Sequence, residues 1–363
     1  MIRVYQLISN PYKFPNPFIY AMIDGIESLY DDIKWGWGYE KFWTDHIFHY
    51  DIVLIQWPDA PLSWDTISKH SIDEYIHRIM QIKSKGIKII SFVHNMVPHY
   101  TTDKIKFDCY NYIYSSADVL LHMGEYSKNI FAAKYPRTEH VFIGPHFVYN
   151  QVYKSRYTRE QGLAVLGFES KYKYVLAFGA FRDDEERELV SNLAHDLHLY
   201  DKDIMILAPS YMNIFPKRNR WDIRPRIQKC CLKHREHIIC NGGVFNTVSD
   251  ALLPYYYAVS DVCFIHRKKI LNSGNVPMGF LMNKVVVGPS EGNVGEILKI
   301  MKNPIFNVED RKSVSEAIID AFQMSIQGKG EWNYGYAMEH FSTEIFCKKL
   351  HEIFVNVSKN QNN

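Results

Sequence analysis

The sequence predicts an α/β chain built as two doubly wound halves in tandem, each a parallel sheet with helices on its faces. Three observations carry this reading. The 363 residues suffice for two domains of ordinary size, each able to bury its own core. Short apolar runs alternate with longer amphipathic stretches from end to end, which is the pattern of βα units. The same order recurs after a polar interval in the middle of the chain.

In the first half the apolar runs place strands at 2–8, 52–55, 87–93, 119–122 and 141–143. Helical patterns lie between them; in Ile72–Ser84, the residues Ile76, Ile79, Met80 and Lys83 keep the 3.6-residue spacing until Gly86 stops it. Residues 151–172 are polar and tyrosine-rich, hold one short helical pattern at Arg159–Leu166, and read as a linker. Strands of the second half fall at 174–178, 204–208, 237–240, 262–265 and 285–287. The closing stretch, Trp332–Val357, keeps an apolar face through Tyr336, Phe341, Ile345, Phe346, Leu350, Ile353 and Phe354 and reads as a terminal helix packing across the domains, with Ser358–Asn363 frayed. The expected boundaries are therefore 1–150, 151–172, 173–335 and 336–357.

Composition narrows the function classes. A net charge of +2, from 42 basic and 40 acidic side chains, provides no global field for nucleic acid, so any basic site is local. The six cysteines contain no CxxC pair, and most lie in or beside apolar stretches, which points to a reducing compartment without structural zinc. Polar residues and Pro11 interrupt the first segment before an apolar region of signal-peptide length forms, and no run approaches the ~18 apolar residues of a membrane span. The expectation is a cytoplasmic protein, with peripheral contact to the cytoplasmic membrane face left open. Aromatic residues reach 15%, and five of the seven Trp lie in the first half.

In doubly wound sheets ligands sit at the carboxyl ends of the strands, so the turns after the strands come first. The strand around Val262 opens into Arg267-Lys268-Lys269 and then Asn272-Ser273-Gly274-Asn275. Free N–H groups at a helix start, no side chain at Gly274 and two adjacent cations suit a diphosphate; a plain helix cap by Ser273 or Asn275 with solvated cations is the competing reading. After the strand at 174–178 comes Phe178-Gly179-Ala180-Phe181-Arg182, where Gly179 permits close backbone approach and Arg182 reaches for the same anion, or else pairs with the acids at 183–186 on the surface. In Val285–Leu298, Asn293 and Glu296 have the offset of a capping box, while Glu291 or Glu296 also suits a ribose diol.

Taken in order, these segments resemble the nucleotide-sugar domain of GT-B glycosyltransferases: Gly179 with Arg182, Asn241-Gly242-Gly243-Val244-Phe245, Leu253–Val262, the Asn272-Ser273-Gly274 turn and Val285–Glu296. The first half is similar to bacterial polysaccharide-assembly members, GT4-like, through Asn16-Pro17-Phe18, Asp51–Pro58 and the HN-x-x-PH loop His94-Asn95-Met96-Val97-Pro98-His99. The resemblance implies two Rossmann-like domains facing a cleft, a terminal helix crossing back to the first domain, a base-framing loop at Val244 and Phe245, and diphosphate held by the Ser-Gly turn. Retaining members carry an E-x7-E motif; Lys269 and Pro277 occupy those positions, and no Lys follows Arg182, so the stereochemistry stays open.

The implied reaction moves a sugar from a UDP- or GDP-sugar to a saccharide or lipid-linked saccharide acceptor in bacterial surface polysaccharide synthesis, with no metal and no cofactor beyond the donor. The expected donor-binding residues are Gly179, Arg182, Val244, Phe245, Arg267, Lys268, Ser273, Gly274, Asn275 and Glu296. An inverting displacement also needs a base from the first domain, where His94, Asn95, His99 and Glu125 follow predicted strands, and His146 is a weaker candidate. His94 also reads as a core histidine, and Glu125 as an acid favoured by a helix start. The aromatic run Trp35–Trp43 reads either as sugar platform or as core, and Lys217–Arg226 either as a headgroup-binding or a solvated loop. A sugar-nucleotide epimerase or hydrolase, or a non-catalytic carbohydrate-binding subunit, are the alternatives.

Overall fold

In the computed structural model the described residues are 1–13, 16–63, 70–98, 103–212, 221, 223, 227, 237–240 and 248–359. The chain divides into two units, Met1–Val152 with His340–Asn363, and Tyr153–Glu339.

The first unit holds six parallel strands in the order β2-β1-β3-β4-β5-β6. They are β1 (Ile2–Gln6), β2 (Ile33–Trp37), β3 (Ile52–Ile55), β4 (Lys88–Phe92), β5 (Val119–His122) and β6 (Glu139–Phe142). Two of these, β3 and β5, are buried throughout and read as near-continuous apolar runs because helices cover both faces of a parallel sheet. The pattern misses β2, an edge strand paired with β1 along its whole length. Its Lys34 is exposed, and its Gly36 leaves room for a neighbour: a Cβ there would lie 2.0 Å from the Tyr50 hydroxyl. The aromatic run that begins in β2 packs onto the unit rather than forming an open platform, with Tyr39 and Phe42 buried and Trp43 stacked on His70 at 3.7 Å.

Helix Ile72–Ser84 has the predicted limits, capped by a reciprocal Ser71–Glu74 box and stopped at Gly86, where φ is +81°. Its inward face is Tyr75, Arg78, Ile79 and Ile82, while Met80 is 58% exposed. The expected face is therefore rotated, because Arg78 turns in to donate to the Phe42 carbonyl at 2.8 Å.

The single terminal helix expected over Trp332–Val357 is two helices, Lys329–His340, in the second unit up to Glu339, and Thr343–Lys359 in the first. The break falls where the Phe341 carbonyl accepts from Val148 N (2.8 Å) and Thr343 N donates to Asn150 Oδ1 (3.1 Å), bonds that a continuous helix would forgo. The last helix packs closely on Pro17–Leu29: a Cβ on Gly25 would stand 2.7 Å from Cys347 Sγ.

The second unit has the strand order β12-β11-β10-β7-β8-β9, again parallel. The strands are β7 (Lys173–Leu176), β8 (Ile204–Leu207), β9 (Ile238–Ile239), β10 (Val262–Phe264), β11 (Val285–Pro289) and β12 (Ile305–Phe306). Helix Arg159–Leu166 lies in this unit, packed so tightly on Leu253–Val259 that a Cβ on Gly162 would meet Val259 Cγ1 at 2.6 Å. The core joins Val175, Ile206, Phe264 and Val287 of the sheet to Leu193, Leu197 and Ile318 of the covering helices.

Each sheet reverses its direction of growth once, between β1 and β3 in the first unit and between β7 and β10 in the second. The loops leaving the two neighbouring strands run to opposite faces of the sheet at such a point, leaving a crevice at the carboxyl ends.

Candidate active site

In the second unit the loops after β7 and β10 flank the reversal point. Beyond β7 the chain passes Ala177 and Phe178 and turns at Gly179, whose φ of +111° a residue with a Cβ adopts only under strain. A Cβ here would stand 3.2 Å from Asn275 Nδ2 and 3.5 Å from Arg267 Nη2, so the two loops approach closely at Gly179. Asn275 Nδ2 donates to the Phe178 carbonyl at 2.6 Å, and Asn275 N donates to Ser273 Oγ at 3.3 Å. Gly179, Arg267, Ser273 and Asn275 thus form one cluster.

Arg182 joins it through Glu186. Asp183 caps the helix Asp184–Tyr200 by accepting from Glu186 N, and the buried Glu186 carboxylate accepts the Arg182 main-chain N–H at 2.7 Å. The same oxygen pairs with the Arg267 guanidinium, with Glu186 3% and Arg267 8% exposed. Burial pushes the Glu186 carboxyl up, and Arg267 pulls it part of the way back. Burial and the neighbouring Arg267 charge bring Arg182 down to about 10, still cationic at neutral pH. Two arginines held this close repel, and an anion between them would relieve both the repulsion and the desolvation.

Several expectations change here. Arg267 is not a solvated cation but a buried one with a carboxylate partner, and Lys268 faces Glu185 at 3.7 Å. Gly274 has φ −65° and ψ −16°, a conformation open to any residue, so its backbone does not require glycine. Asn293 is not a helix cap: the cap of helix Gly292–Ile300 is Glu291, two residues earlier, and the Asn293 amide donates to Asn272 Oδ1 at 2.8 Å, bracing the loop that carries Ser273. Glu296 is half-buried within that helix. Val244 and Phe245 lie outside the described residues, as does most of the basic loop 217–226.

Sequence reasoning missed Glu186, which stands in an acidic run whose other members are exposed. Its place in the helical period, three and four residues before Leu189 and Val190, was the signal that it faces inward. Also missed was His266, 1% exposed, its ring stacked on Phe181 at 4.2 Å and held neutral by burial and the adjacent arginines.

In the first unit, His94 follows β4. Its Nε2 lies 2.7 Å from Gln56 Oε1, beyond the end of β3, and its ring stacks on Trp57 (5.0 Å) and Phe92 (5.5 Å). An amide oxygen only accepts, so Nε2 carries the proton and Nδ1 is the basic nitrogen. Burial, reinforced by His146, drives the His94 pKa down to about 3. Gln6, at the end of β1, is fully buried with neither amide atom hydrogen-bonded among the described residues, so this end of the sheet carries polar groups at its own reversal point. Asn95 offers its carbonyl to the Tyr114 hydroxyl at 2.9 Å. Glu125 opens the helix Glu125–Lys134 and pairs with Lys128 at 3.3 Å, the placement that a helix dipole favours. His146, near Phe18 and bonded to Tyr149, is pushed down to about 4 by burial. His99 lies outside the described residues.

No family model and no curated protein matches the sequence. Solved structures do match along nearly the whole chain. Sucrose-phosphate synthase from Thermosynechococcus elongatus aligns with a TM-score of 0.71 at 9% identity, covering 99% of this chain and 100% of that one. HepE of Anabaena in complex with UDP-glucose aligns at 0.69 and 12% identity, covering 98% and 100%. A trehalose-6-phosphate structure from E. coli bound with UDP-2-fluoro glucose aligns at 0.63 and 11%, covering 97% and 98%. The chain has the GT-B fold of these glycosyltransferases.

Proposed function

We propose that this protein is a glycosyltransferase that moves a sugar from a nucleotide-diphosphate donor to a saccharide or lipid-linked saccharide acceptor in the assembly of a bacterial surface polysaccharide. One observation carries the reading: Gly179, Arg182, Arg267, Ser273 and Asn275 gather at the carboxyl ends of β7 and β10, where the sheet reverses. The fold likeness to proteins solved with UDP or UDP-glucose supports a nucleotide-sugar donor, UDP or GDP.

In this reading the two guanidinium groups and main-chain N–H groups near Ser273 stabilise the departing diphosphate without a metal. Glu186 keeps Arg267 in place between turnovers and shares it with the anion. His94 takes the acceptor hydroxyl's proton at Nδ1, while Gln56 fixes its tautomer. The burial that keeps His94 neutral also weakens it as a base. Asn95, His99 and Glu125 remain candidates for acceptor contacts, and Glu296, Lys268, Val244 and Phe245 for the donor's ribose, phosphate and base. No helix among the described residues is long and apolar enough to cross a membrane.

Incubating the protein with UDP- and GDP-sugars, with and without saccharide acceptors, tests the proposal. Release of nucleoside diphosphate that rises with acceptor supports transfer; an epimerised nucleotide sugar would favour the epimerase reading, and no binding of any nucleoside diphosphate would overturn both.

A further inference from the structure

The second unit has another cationic cavity, at the opposite end of its sheet. About 270 Å³ in volume, it is lined by Arg156, Tyr157, Arg159, Asn283 and Lys284 and by one face of the helix Leu253–Val259. Lys284 immediately precedes β11, so the cavity lies by the amino ends of the strands, whereas Arg267 and Asn275 follow the carboxyl end of β10.

Three lining side chains are cations and none is a carboxylate. Arg159 is satisfied internally: it pairs with Asp261 at 3.1 Å and donates to the Tyr172 carbonyl at 2.6 Å. The other two are not neutralised in this way. Among the described residues, Lys284 Nζ donates to one uncharged group, the Ser260 carbonyl at 2.6 Å, using one of an ammonium's three donors. Arg156 lies 3.6 Å over the Tyr334 ring and reaches Asn283 Oδ1 at 3.4 Å, with the rest of its fork uncommitted to any carboxylate among the described residues. Asp261 attracts Lys284 from beyond ion-pair distance, but among the described residues neither Lys284 nor Arg156 makes a direct ion pair on this small cavity.

The turn that presents them is braced. Asn283 sits at φ +58°, the left-handed region that asparagine tolerates better than most residues with a side chain. The Lys284 carbonyl accepts from Asn333 Nδ2 at 2.9 Å, and Gly330 packs so closely that a Cβ would stand 2.0 Å from the Asn283 carbonyl oxygen. Burial lowers the Lys284 pKa, a penalty that a bound anion would reverse.

We propose that this cavity is a second anion-binding site that takes a small phosphate monoester, held by Arg156 and Lys284. A phosphate dianion suits two cations that make no direct ion pair among the described residues. The volume lies just below the usual range for small-molecule sites, roughly 300–1,000 Å³, which suits a sugar phosphate and is too small for a nucleotide sugar.

Calorimetric titration of the full chain with glucose 6-phosphate, and with inorganic phosphate at matched ionic strength, tests this. Saturable binding of both, weakened about 10-fold or more by Arg156→Ala and changed by less than about 2-fold by Arg182→Ala, is the expected result, since one charge-assisted hydrogen bond is worth about that factor. Arg156 is exposed, so its alanine variant should fold. Absence of saturable binding, or binding lost in Arg182→Ala and kept in Arg156→Ala, would overturn the proposal and assign phosphate to the diphosphate site instead.

Discussion

Glu186 pairs with Arg267 across the loops that follow β7 and β10, and the oxygen that makes this pair also accepts the Arg182 main-chain N–H. A single buried carboxylate therefore holds the Arg267 guanidinium and the backbone of Arg182. It also competes with any anion for Arg267.

Replacing Glu186 with Gln should separate these two effects. The amide keeps the shape but leaves a buried guanidinium uncompensated, so stability falls by about 3 kcal/mol. With its competitor gone, Arg267 should bind nucleoside diphosphate about 10-fold more tightly. Urea unfolding and calorimetry read the two quantities; unchanged or weaker binding in Glu186→Gln would contradict the competition.

Two glycines at nearly the same φ should differ in cost. Gly167, at +69°, closes the helix Arg159–Leu166 with nothing within 4 Å of its missing Cβ, so Gly167→Ala should cost only the left-handed backbone term, about 1 kcal/mol. At Gly292, φ is +70° and a Cβ would stand 2.4 Å from the Ile270 carbonyl oxygen. Gly292→Ala should therefore cost more than about 2 kcal/mol and, by shifting the loop towards Ser273, weaken nucleotide binding as well. Equal losses in the urea midpoint would show that the clash relaxes freely.

Acid should destabilise the first unit before its carboxylates titrate. His94 and His122 are pushed down to about 3 and His146 to about 4, all chiefly by burial. Below about pH 6.5 these imidazoles are protonated in the unfolded chain and neutral in the folded one, so unfolding takes up protons and stability falls as the pH drops from about 6.5 towards 4. His94→Phe keeps a ring against Trp57 and should take up about one proton fewer over that interval. Urea midpoints at pH 7, 6 and 5 measure the slope, and an unaltered slope in the variant would mean that His94 is already charged in the fold.

The parts of the fold legible in the sequence are those fixed by short-range patterns. Strands buried on both faces stand out as apolar runs, and Gly86 ends its helix where expected. What escaped depends on distant partners. β2 carries Lys34 and a glycine shaped by Tyr50, and β12 is only two residues long. Arg78 turns inward for the Phe42 carbonyl 36 residues away. In the site, Gly179, Arg267, Ser273 and Asn275 were readable as strand-end chemistry. Glu186 was hidden in an acidic run, and the bond from Asn293 to Asn272 spans 21 residues, which no capping rule foresees.

The contribution of the phosphates to nucleotide affinity tests the central claim most directly. Calorimetric titrations of UDP and GDP against uridine and guanosine, on the native protein and on Arg182→Ala, should show the preferred diphosphate binding at least about 100-fold more tightly than its nucleoside, with most of that margin lost in the variant. Equal affinity for nucleoside and diphosphate, or a margin untouched by Arg182→Ala, would contradict it.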